Sequence, residues 1–194
     1  RTPIFTIQGF LETLLNGAID DPKVNRTFLE KAFFHSSNLN ALLNDLIDLA
    51  KLETDKTISS FTTVNLRQFI TEIVKIIEEK VNRDRIEVLA SIDDKLPENV
   101  NLNSQKIRYI LLNLLTSSLR LTEQGKITIS VTSSEKNQLQ IRISDTGIGI
   151  PSEKIKEVFN PFGISDLYPS NNGSTTGLGL TLVKRYIDFL NGEL

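Results

Sequence analysis

The first sixteen residues alternate apolar and polar positions with the period of a helix. Apolar residues recur there at spacings of three and four, which places Ile4, Ile7, Leu11 and Leu14 on one helical face. Gly17 predicts the end of this helix. Asp20-Asp21-Pro22 predicts the start of the next one, because an aspartate can cap a helix and a proline is tolerated at the first helical position.

The second helix is predicted to be long and to carry a wide apolar stripe. Two helices joined by a short loop cannot cover both of their faces, so we expect a hairpin over residues 1–54 that pairs with a second copy. This pairing predicts a homodimer held together as a four-helix bundle. The stripe has two rows, one of Phe28, Ala32, His35, Leu39, Leu42, Leu46 and Leu49, the other of Leu29, Phe33, Leu43, Ile47 and Ala50.

A polar stretch at residues 53–60 interrupts the helical pattern and marks a predicted domain boundary, with a second domain over 55–194. Helices and β-branched strands alternate beyond it. Packed in two layers, they predict an α+β domain with an antiparallel sheet. The predicted elements are helices at 65–80 and 103–119, strands at 86–92, 127–131 and 139–143, and turns at 122–125 and 135–137.

Composition narrows the classes of function. The longest apolar runs fall well short of the roughly 18 residues that a membrane span requires, so we expect a soluble segment without membrane contact. A net charge of -2 without a basic stripe gives no support for nucleic-acid binding. The absence of cysteine excludes disulfides and fits a cytoplasmic location, including the cytoplasmic part of a membrane-bound sensor. Because the chain begins at Arg1 without a methionine, we expect it to be part of a longer protein.

Two glycine groups carry the candidate chemistry. Asp145-Thr-Gly-Ile-Gly149 follows a predicted strand and precedes a helix predicted from Pro151. Its carboxylate can accept a hydrogen bond from a purine amino group while the glycines let the base approach the backbone, although the same pattern also forms ordinary turns. Gly177-Leu-Gly179 opens another predicted helix, where free N–H groups favour phosphate. The loop at 160–176 between them is rich in Pro, Gly, Ser and Asn, which is typical of lids and disordered segments.

In this order the two groups resemble the glycine boxes of the GHKL ATP-binding fold. Other segments resemble further motifs of the sensor histidine kinases of two-component systems, so that the resemblance covers nearly the whole chain. It implies a Bergerat-type two-layer α/β sandwich after the hairpin. The matching segments are Arg1–Phe10 for the downstream half of the H box, Leu42–Glu53 for the end of the second bundle helix, Ile107–Leu115 for the start of the asparagine box, and Val158–Phe162 for the phenylalanine box.

The resemblance also implies roles for individual residues. Transfer of the γ-phosphate of ATP to a histidine, and then to an aspartate of a response regulator receiver domain, is the implied activity, with Mg²⁺ as a cofactor. Asp145 would bind the adenine amino group. The remaining nucleotide-binding positions are Gly147 and Gly149 at the purine, Gly177 and Gly179 at the phosphates, and Asn113 and Arg120 on the magnesium and phosphate side.

The chain departs from the family pattern at the metal. Ser117 stands where a second asparagine is the usual magnesium ligand, and a neutral hydroxyl is a weaker ligand. Leu121 replaces an aromatic residue, and Thr175 replaces a glycine of the second box, with Gly173 nearby. A degenerate pseudokinase or dimeric scaffold therefore stays open as an alternative. Asn113 argues against the hydrolytic relatives, whose glutamate at this position acts as a general base.

The ends of the chain lack other expected parts. By resemblance the phosphate-accepting histidine precedes Arg1, so we do not expect this chain to phosphorylate itself. His35 lies on the apolar stripe and is interpreted as a bundle histidine. Thr2 would orient water during dephosphorylation of the regulator, and it can equally cap the first helix ahead of Pro3. Two further strands are expected after Leu194. A purely structural coiled coil would explain the hairpin but neither glycine group.

Overall fold

A computed structural model describes residues 2–54, 61–82, 84–134, 138–163 and 177–194. The chain divides into two units, each of which is described by itself. The first unit comprises Arg1–Lys56 and Glu157–Leu182, and the second comprises Thr57–Lys156 and Val183–Leu194.

The first unit contains the predicted hairpin. Helix α1 spans Thr2–Leu15, and helix α2 spans Asn25–Thr54. Gly17 ends the first helical segment with a φ of 113°, as predicted. Helix α2 begins at Asn25, three residues after the predicted first helical position at Pro22. The predicted capping bond is present, because the Asp21 carboxylate accepts from the Lys23 N–H at 2.8 Å and the Asp21 carbonyl oxygen accepts from the Asn25 N–H at 3.0 Å.

The two helices pack through aromatic side chains. The Phe10 ring lies 5.5 Å from the Phe28 ring and 6.1 Å from the His35 imidazole, measured between centroids. Leu14 of α1 and Ala32 of α2 are buried as well. His35 is half-buried against Phe10, as expected of a histidine packed within the hairpin.

The second apolar row of α2 is largely exposed. Leu29, Leu43 and Ile47 are about half-exposed, and Phe33 is 75% exposed. One residue placed in the first row, Leu46, is also exposed. Helix α1 has 14 residues and α2 has 30, so α1 can cover only part of α2. The hairpin therefore keeps an apolar surface that α1 does not cover.

The second unit is built from strands and helices in two layers, which confirms the α+β prediction. Side-chain caps precede the helices that begin at Leu66 and Ser104. The side chain of Asn65 accepts from the Gln68 N–H at 2.9 Å, and the buried side chain of Asn103 accepts from the Lys106 N–H at 3.0 Å. Helix α5 begins in the first unit and ends in the second. The elements are β1 (Thr62–Asn65), α3 (Leu66–Glu78), β2 (Ile86–Ile92), β3 (Asn99–Leu102), α4 (Ser104–Leu121), β4 (Gly125–Ser133), β5 (Leu139–Asp145) and α5 (Gly179–Phe189).

The main sheet has the strand order β2-β4-β5 and is mixed. Strands β4 and β5 are antiparallel, but β2 and β4 are parallel, which corrects the prediction of an antiparallel sheet. The reason is that the chain crosses over through α4 between these two strands. Strands β1 and β3 form a separate antiparallel pair that was not predicted, since each has only four residues.

One apolar core joins this sheet to α3 and α4. Each strand contributes alternate residues to it, and each helix contributes one face. The core thereby fixes α4, the helix with three candidate site residues, against the sheet. Its most buried members are Leu66, Ile70, Ile73, Ile77, Leu115, Ile127, Ile129 and Val131.

Other predictions have mixed outcomes. The helix predicted from Pro151 is wrong, because the chain there forms only short 3-10 turns at Ser152–Lys154 and Glu157–Phe159. The predicted turn at 135–137 lies outside the described residues, and so do residues 164–176 of the predicted loop. In the described part of the chain, helices are either too short or too polar to cross a membrane.

Candidate nucleotide site

Helix α4 presents two neutral candidate ligands one turn apart. The side-chain amide of Asn113 donates to the Tyr109 carbonyl oxygen at 3.0 Å, which leaves the side-chain oxygen of Asn113 as the atom that could contact a cation. Ser117 follows four residues later, and both side chains are half-buried. Mg²⁺ is commonly held by few protein oxygens together with phosphates and water, so this pair fits a site that needs the nucleotide phosphates for completion.

Arg120 adds a cation in the last turn of α4. Its side chain is half-buried, and this burial lowers the pKa of the guanidinium from its usual value. Arginine nevertheless stays protonated in proteins, and a cation at a helix C-terminus is favoured by the helix dipole. Leu121, the position where an aromatic residue was expected, is buried.

Asp145 is the last residue of β5, and its side chain is exposed. One carboxylate oxygen accepts a hydrogen bond from the Gly147 N–H at 3.0 Å, so the loop's own backbone orients the carboxylate. A carboxylate has about four acceptor positions, which leaves it able to accept from a purine amino group. The geometry is thus compatible with the role that the resemblance implies.

The two glycines after Asp145 are required for different reasons. A Cβ on Gly147 would lie 2.3 Å from the Leu121 carbonyl oxygen, because the loop packs directly on the end of α4. The Ile148 N–H donates to the same oxygen at 3.0 Å. Gly149 has open space around it but a φ of 70°, where L side chains are strained. Close packing of Gly147 was not foreseen from the sequence.

The same loop is tied to the start of β4 on its other side. The Lys126 N–H donates to the Thr146 hydroxyl at 3.0 Å, and the Thr146 N–H donates to the Lys126 carbonyl oxygen at 3.1 Å. A Cβ on Gly125 would lie 2.0 Å from the Thr146 hydroxyl oxygen. The sequence analysis did not predict this contact between Thr146 and Gly125. Gly125 is a glycine at the start of a strand, and such a glycine often marks a close backbone approach.

The second glycine group lies in the first unit. The Gly177 carbonyl oxygen accepts from the Phe162 N–H at 2.8 Å, and both residues have positive φ, 72° and 67°. Helix α5 begins at Gly179, and its first N–H groups have no partner within the helix. Such a helix start favours a phosphate group.

The structure therefore brings part of the predicted site together. In the second unit the Asp145 loop packs on α4, which bears Asn113, Ser117 and Arg120. Gly177 and Gly179 belong to the first unit. Thr2 is the first residue of α1, and its side chain lies outside the described part. Among the described residues there is no cluster of three or more His, Cys, Asp or Glu side chains that could hold a metal.

Two family models match the chain. Residues 1–55 match HisKA, the His Kinase A (phospho-acceptor) domain, and residues 102–194 match HATPase_c, the histidine kinase-, DNA gyrase B- and HSP90-like ATPase. The signal transduction histidine-protein kinase BarA of Escherichia coli K12 is 29% identical over 198 residues, covering 100% of this chain and 21% of BarA. The chain thus spans about a fifth of the length of the curated relatives it matches.

Solved structures share the fold. Acinetobacter baumannii histidine kinase AdeS matches with a TM-score of 0.73 and 22% identity, over 97% of this chain and 85% of AdeS. Full-length ShkA in complex with AMPPNP matches with a TM-score of 0.73 and 21% identity, over 88% of this chain and 36% of ShkA. Histidine kinase ThkA in complex with the response regulator protein TrrA matches with a TM-score of 0.67 and 23% identity, over 83% of this chain and 46% of that chain.

The helical hairpin and the α/β unit with its Asp145 loop correspond to the two domains that the family models describe. The chain belongs to the sensor histidine kinases of two-component signal transduction.

Proposed function

We propose that the chain is the dimerisation and ATP-binding core of such a kinase. The γ-phosphate of ATP would pass to a histidine upstream of Arg1 and then to an aspartate of a response regulator. The observation that carries this proposal is the docking of the Asp145 loop on the end of α4, the helix of Asn113 and Arg120. The second unit thereby contains both the carboxylate proposed for base recognition and the polar residues proposed for the phosphates.

Each residue contributes a distinct interaction in this proposal. Asp145 accepts a hydrogen bond from the adenine amino group, and Gly149 lets the base approach the backbone. Backbone N–H groups at Gly177 and Gly179 bind phosphate oxygens, and Arg120 offsets phosphate charge. The ShkA structure holds AMPPNP, which supports a nucleotide in this fold.

The metal would be held by Asn113 and Ser117 together with the phosphates, and it would neutralise charge on the transferring phosphoryl group. Both protein ligands are neutral oxygens. Asn113 cannot take a proton from water, so the site lacks the general base that hydrolytic relatives have at this position. This difference favours transfer to a histidine over hydrolysis.

Two measurements test the proposal. Titration with ADP and ATP, with and without Mg²⁺, should show saturable binding in the micromolar to millimolar range. A longer chain that includes the upstream residues should form acid-labile phosphohistidine when given ATP. A chain that binds no nucleotide at millimolar concentration would refute the kinase function.

A degenerate pseudokinase or scaffold is the second candidate, because Ser117, Leu121 and Thr175 depart from the family pattern. We predict that Ser117→Asn raises the Mg²⁺-dependent part of ATP affinity, since an amide oxygen reaches further than a hydroxyl. An increase of about tenfold corresponds to about 1.4 kcal/mol. Calorimetric titration at several Mg²⁺ concentrations measures it, and ADP affinity without Mg²⁺ is the internal control. Phosphotransfer that appears only in Ser117→Asn would favour the degenerate alternative.

The exposed row of α2 is the proposed homodimer surface. Four-helix bundles bury such rows between two hairpins, and this row holds Leu29, Phe33, Leu43 and Ile47. A response regulator is the proposed second partner, and the complex of ThkA with TrrA supports that proposal. Phosphatase assistance by Thr2 remains part of the same proposal. The proposed location is the cytoplasm, where such regulators act.

We predict that Phe33→Glu weakens the homodimer about 100-fold, because the bundle would have to bury an unpaired carboxylate. Sedimentation equilibrium over a concentration series measures this change. Thr27→Glu is the control. Thr27 is exposed and lies six residues earlier, about 120° around α2 from Phe33, so its change should leave the dimer intact. Equal weakening by both variants would contradict the assigned surface.

A further inference from the structure

The end of α4 contains a buried threonine that the proposed mechanism does not use. Thr122 immediately follows α4 and is only 3% exposed. Its hydroxyl donates to the carbonyl oxygen of Ser118, which is also buried, at 2.8 Å. The last four carbonyls of a helix lack partners further along it, so this bond satisfies one of them.

The hydroxyl oxygen of Thr122 also forms part of the surface on which the Asp145 loop packs. A Cβ on Gly147 would lie 2.9 Å from this oxygen and 2.3 Å from the Leu121 carbonyl oxygen. The glycine backbone therefore fits into a space bounded by both atoms. The Ile148 N–H holds the loop there through its 3.0 Å bond to Leu121.

Gly147 in turn orients the Asp145 carboxylate. Its N–H is the donor of the 3.0 Å hydrogen bond to that carboxylate. The backbone of Gly147 packs directly on the Leu121 carbonyl oxygen and the Thr122 hydroxyl oxygen. Glycine has no side chain that could rotate instead, so a shift of either oxygen by a few tenths of an ångström moves the Gly147 N–H as well. Base recognition depends on where the carboxylate points, so it depends on the atoms that Gly147 packs against.

We propose that Thr122 is a positioning residue for adenine recognition, which it serves by fixing Gly147 and, through Gly147, the Asp145 carboxylate. This role rests on the proposed function, in which Asp145 binds the adenine amino group. Thr122 itself is buried, so in this proposal it acts through Gly147 and not on the nucleotide directly. Its hydroxyl is held by Ser118, so the oxygen has one defined position.

Side-chain chemistry predicts which replacements preserve the role. Serine keeps the hydroxyl and its bond to the Ser118 carbonyl. Valine has the shape of threonine but no donor, so it places a methyl group against Gly147 and leaves a buried carbonyl oxygen without this partner. Alanine removes the hydroxyl without adding an apolar atom beside Gly147. It provides a second hydroxyl deletion in case the valine variant folds poorly.

The test compares ADP with GDP, because GDP has a carbonyl oxygen where adenine has its amino group. Calorimetric titrations give both affinities for the wild-type chain and for Thr122→Ser, Thr122→Val and Thr122→Ala. We expect the two hydroxyl deletions to reduce the ratio of ADP affinity to GDP affinity at least tenfold, and Thr122→Ser to keep it within threefold. In an Asp145→Asn background, Thr122→Val should change the ratio little, because both act on one interaction.

The outcomes separate a positioning role from a structural one. Hydroxyl deletions that lower the melting temperature but leave the ADP-to-GDP ratio unchanged would overturn the proposal while the kinase function stands. A wild-type chain that binds ADP no more tightly than GDP would overturn adenine recognition by Asp145, and the role of Thr122 with it. If Thr122→Ser lowered the ADP-to-GDP affinity ratio as much as Thr122→Val does, the hydroxyl would not be the group that positions Gly147.

Discussion

Gly147→Ala is expected to abolish detectable nucleotide binding and to destabilise the second unit by about 1–3 kcal/mol, the usual cost of overpacking. The added methyl group would lie 2.3 Å from the Leu121 carbonyl oxygen and 2.7 Å from its carbon, and both are backbone atoms that cannot rotate away. The loop must therefore leave α4, which breaks the Ile148 bond and moves the Asp145 carboxylate. Chemical denaturation and ADP titration measure the two effects.

Two other glycines provide matched controls for this substitution. Gly9 lies inside α1 with no atom within 4 Å of an added Cβ, so Gly9→Ala should stabilise the chain by about 0.5–1 kcal/mol. Gly149 has equally open surroundings but a positive φ, so Gly149→Ala should cost about 1–2 kcal/mol from the backbone alone. A Gly147→Ala protein with wild-type stability would show that the loop does not pack on α4 as described.

Asp145→Asn should lower ADP affinity about 10- to 100-fold. The replacement exchanges a carboxylate for an amide, and hydrogen bonds to charged groups contribute about 1.5–3 kcal/mol. The side chain is exposed, so we expect little change in the free energy of unfolding. Calorimetric titration without Mg²⁺ isolates the base contact from the metal.

Asp94→Asn is the control for the aspartate prediction. Asp94 is an exposed carboxylate paired with Arg67 at 2.8 Å, and such surface pairs contribute little to stability. The substitution makes the same change in net charge away from the proposed site, so affinity should not change. If both variants lose affinity equally, the loss reflects overall charge, and Asp145 is not the adenine ligand.

The hairpin shows what periodicity predicts well. Spacings of three and four identified both helices, and Gly17 marked the end of the first, although α2 begins at Asn25 and not at the predicted Pro22. The same spacing assigned Leu46 to the first apolar row of α2, although the Leu46 side chain is exposed. Periodicity defines the face of a helix, but burial also depends on how far the neighbouring helix extends.

The sheet shows a different limit. Alternation of apolar and polar residues identified β2, β4 and β5, because each strand buries one face. Alternation carries no information about strand direction, and the antiparallel prediction for β2 and β4 was wrong. The helix between them was predicted, and a crossover of that length is the feature that would have indicated a parallel pair.

The sequence by itself determined the two hairpin helices, α3, α4 and three of the strands, because these follow from spacings within single segments. The family came from the resemblance of several ordered motifs to known ones. The tertiary structure alone decided why Gly147 must be glycine and how Thr122, Gly125 and Thr146 hold the same loop. Those contacts join residues that are about twenty or more positions apart. Their distances depend on strand register and on where α4 ends, which no local pattern specifies.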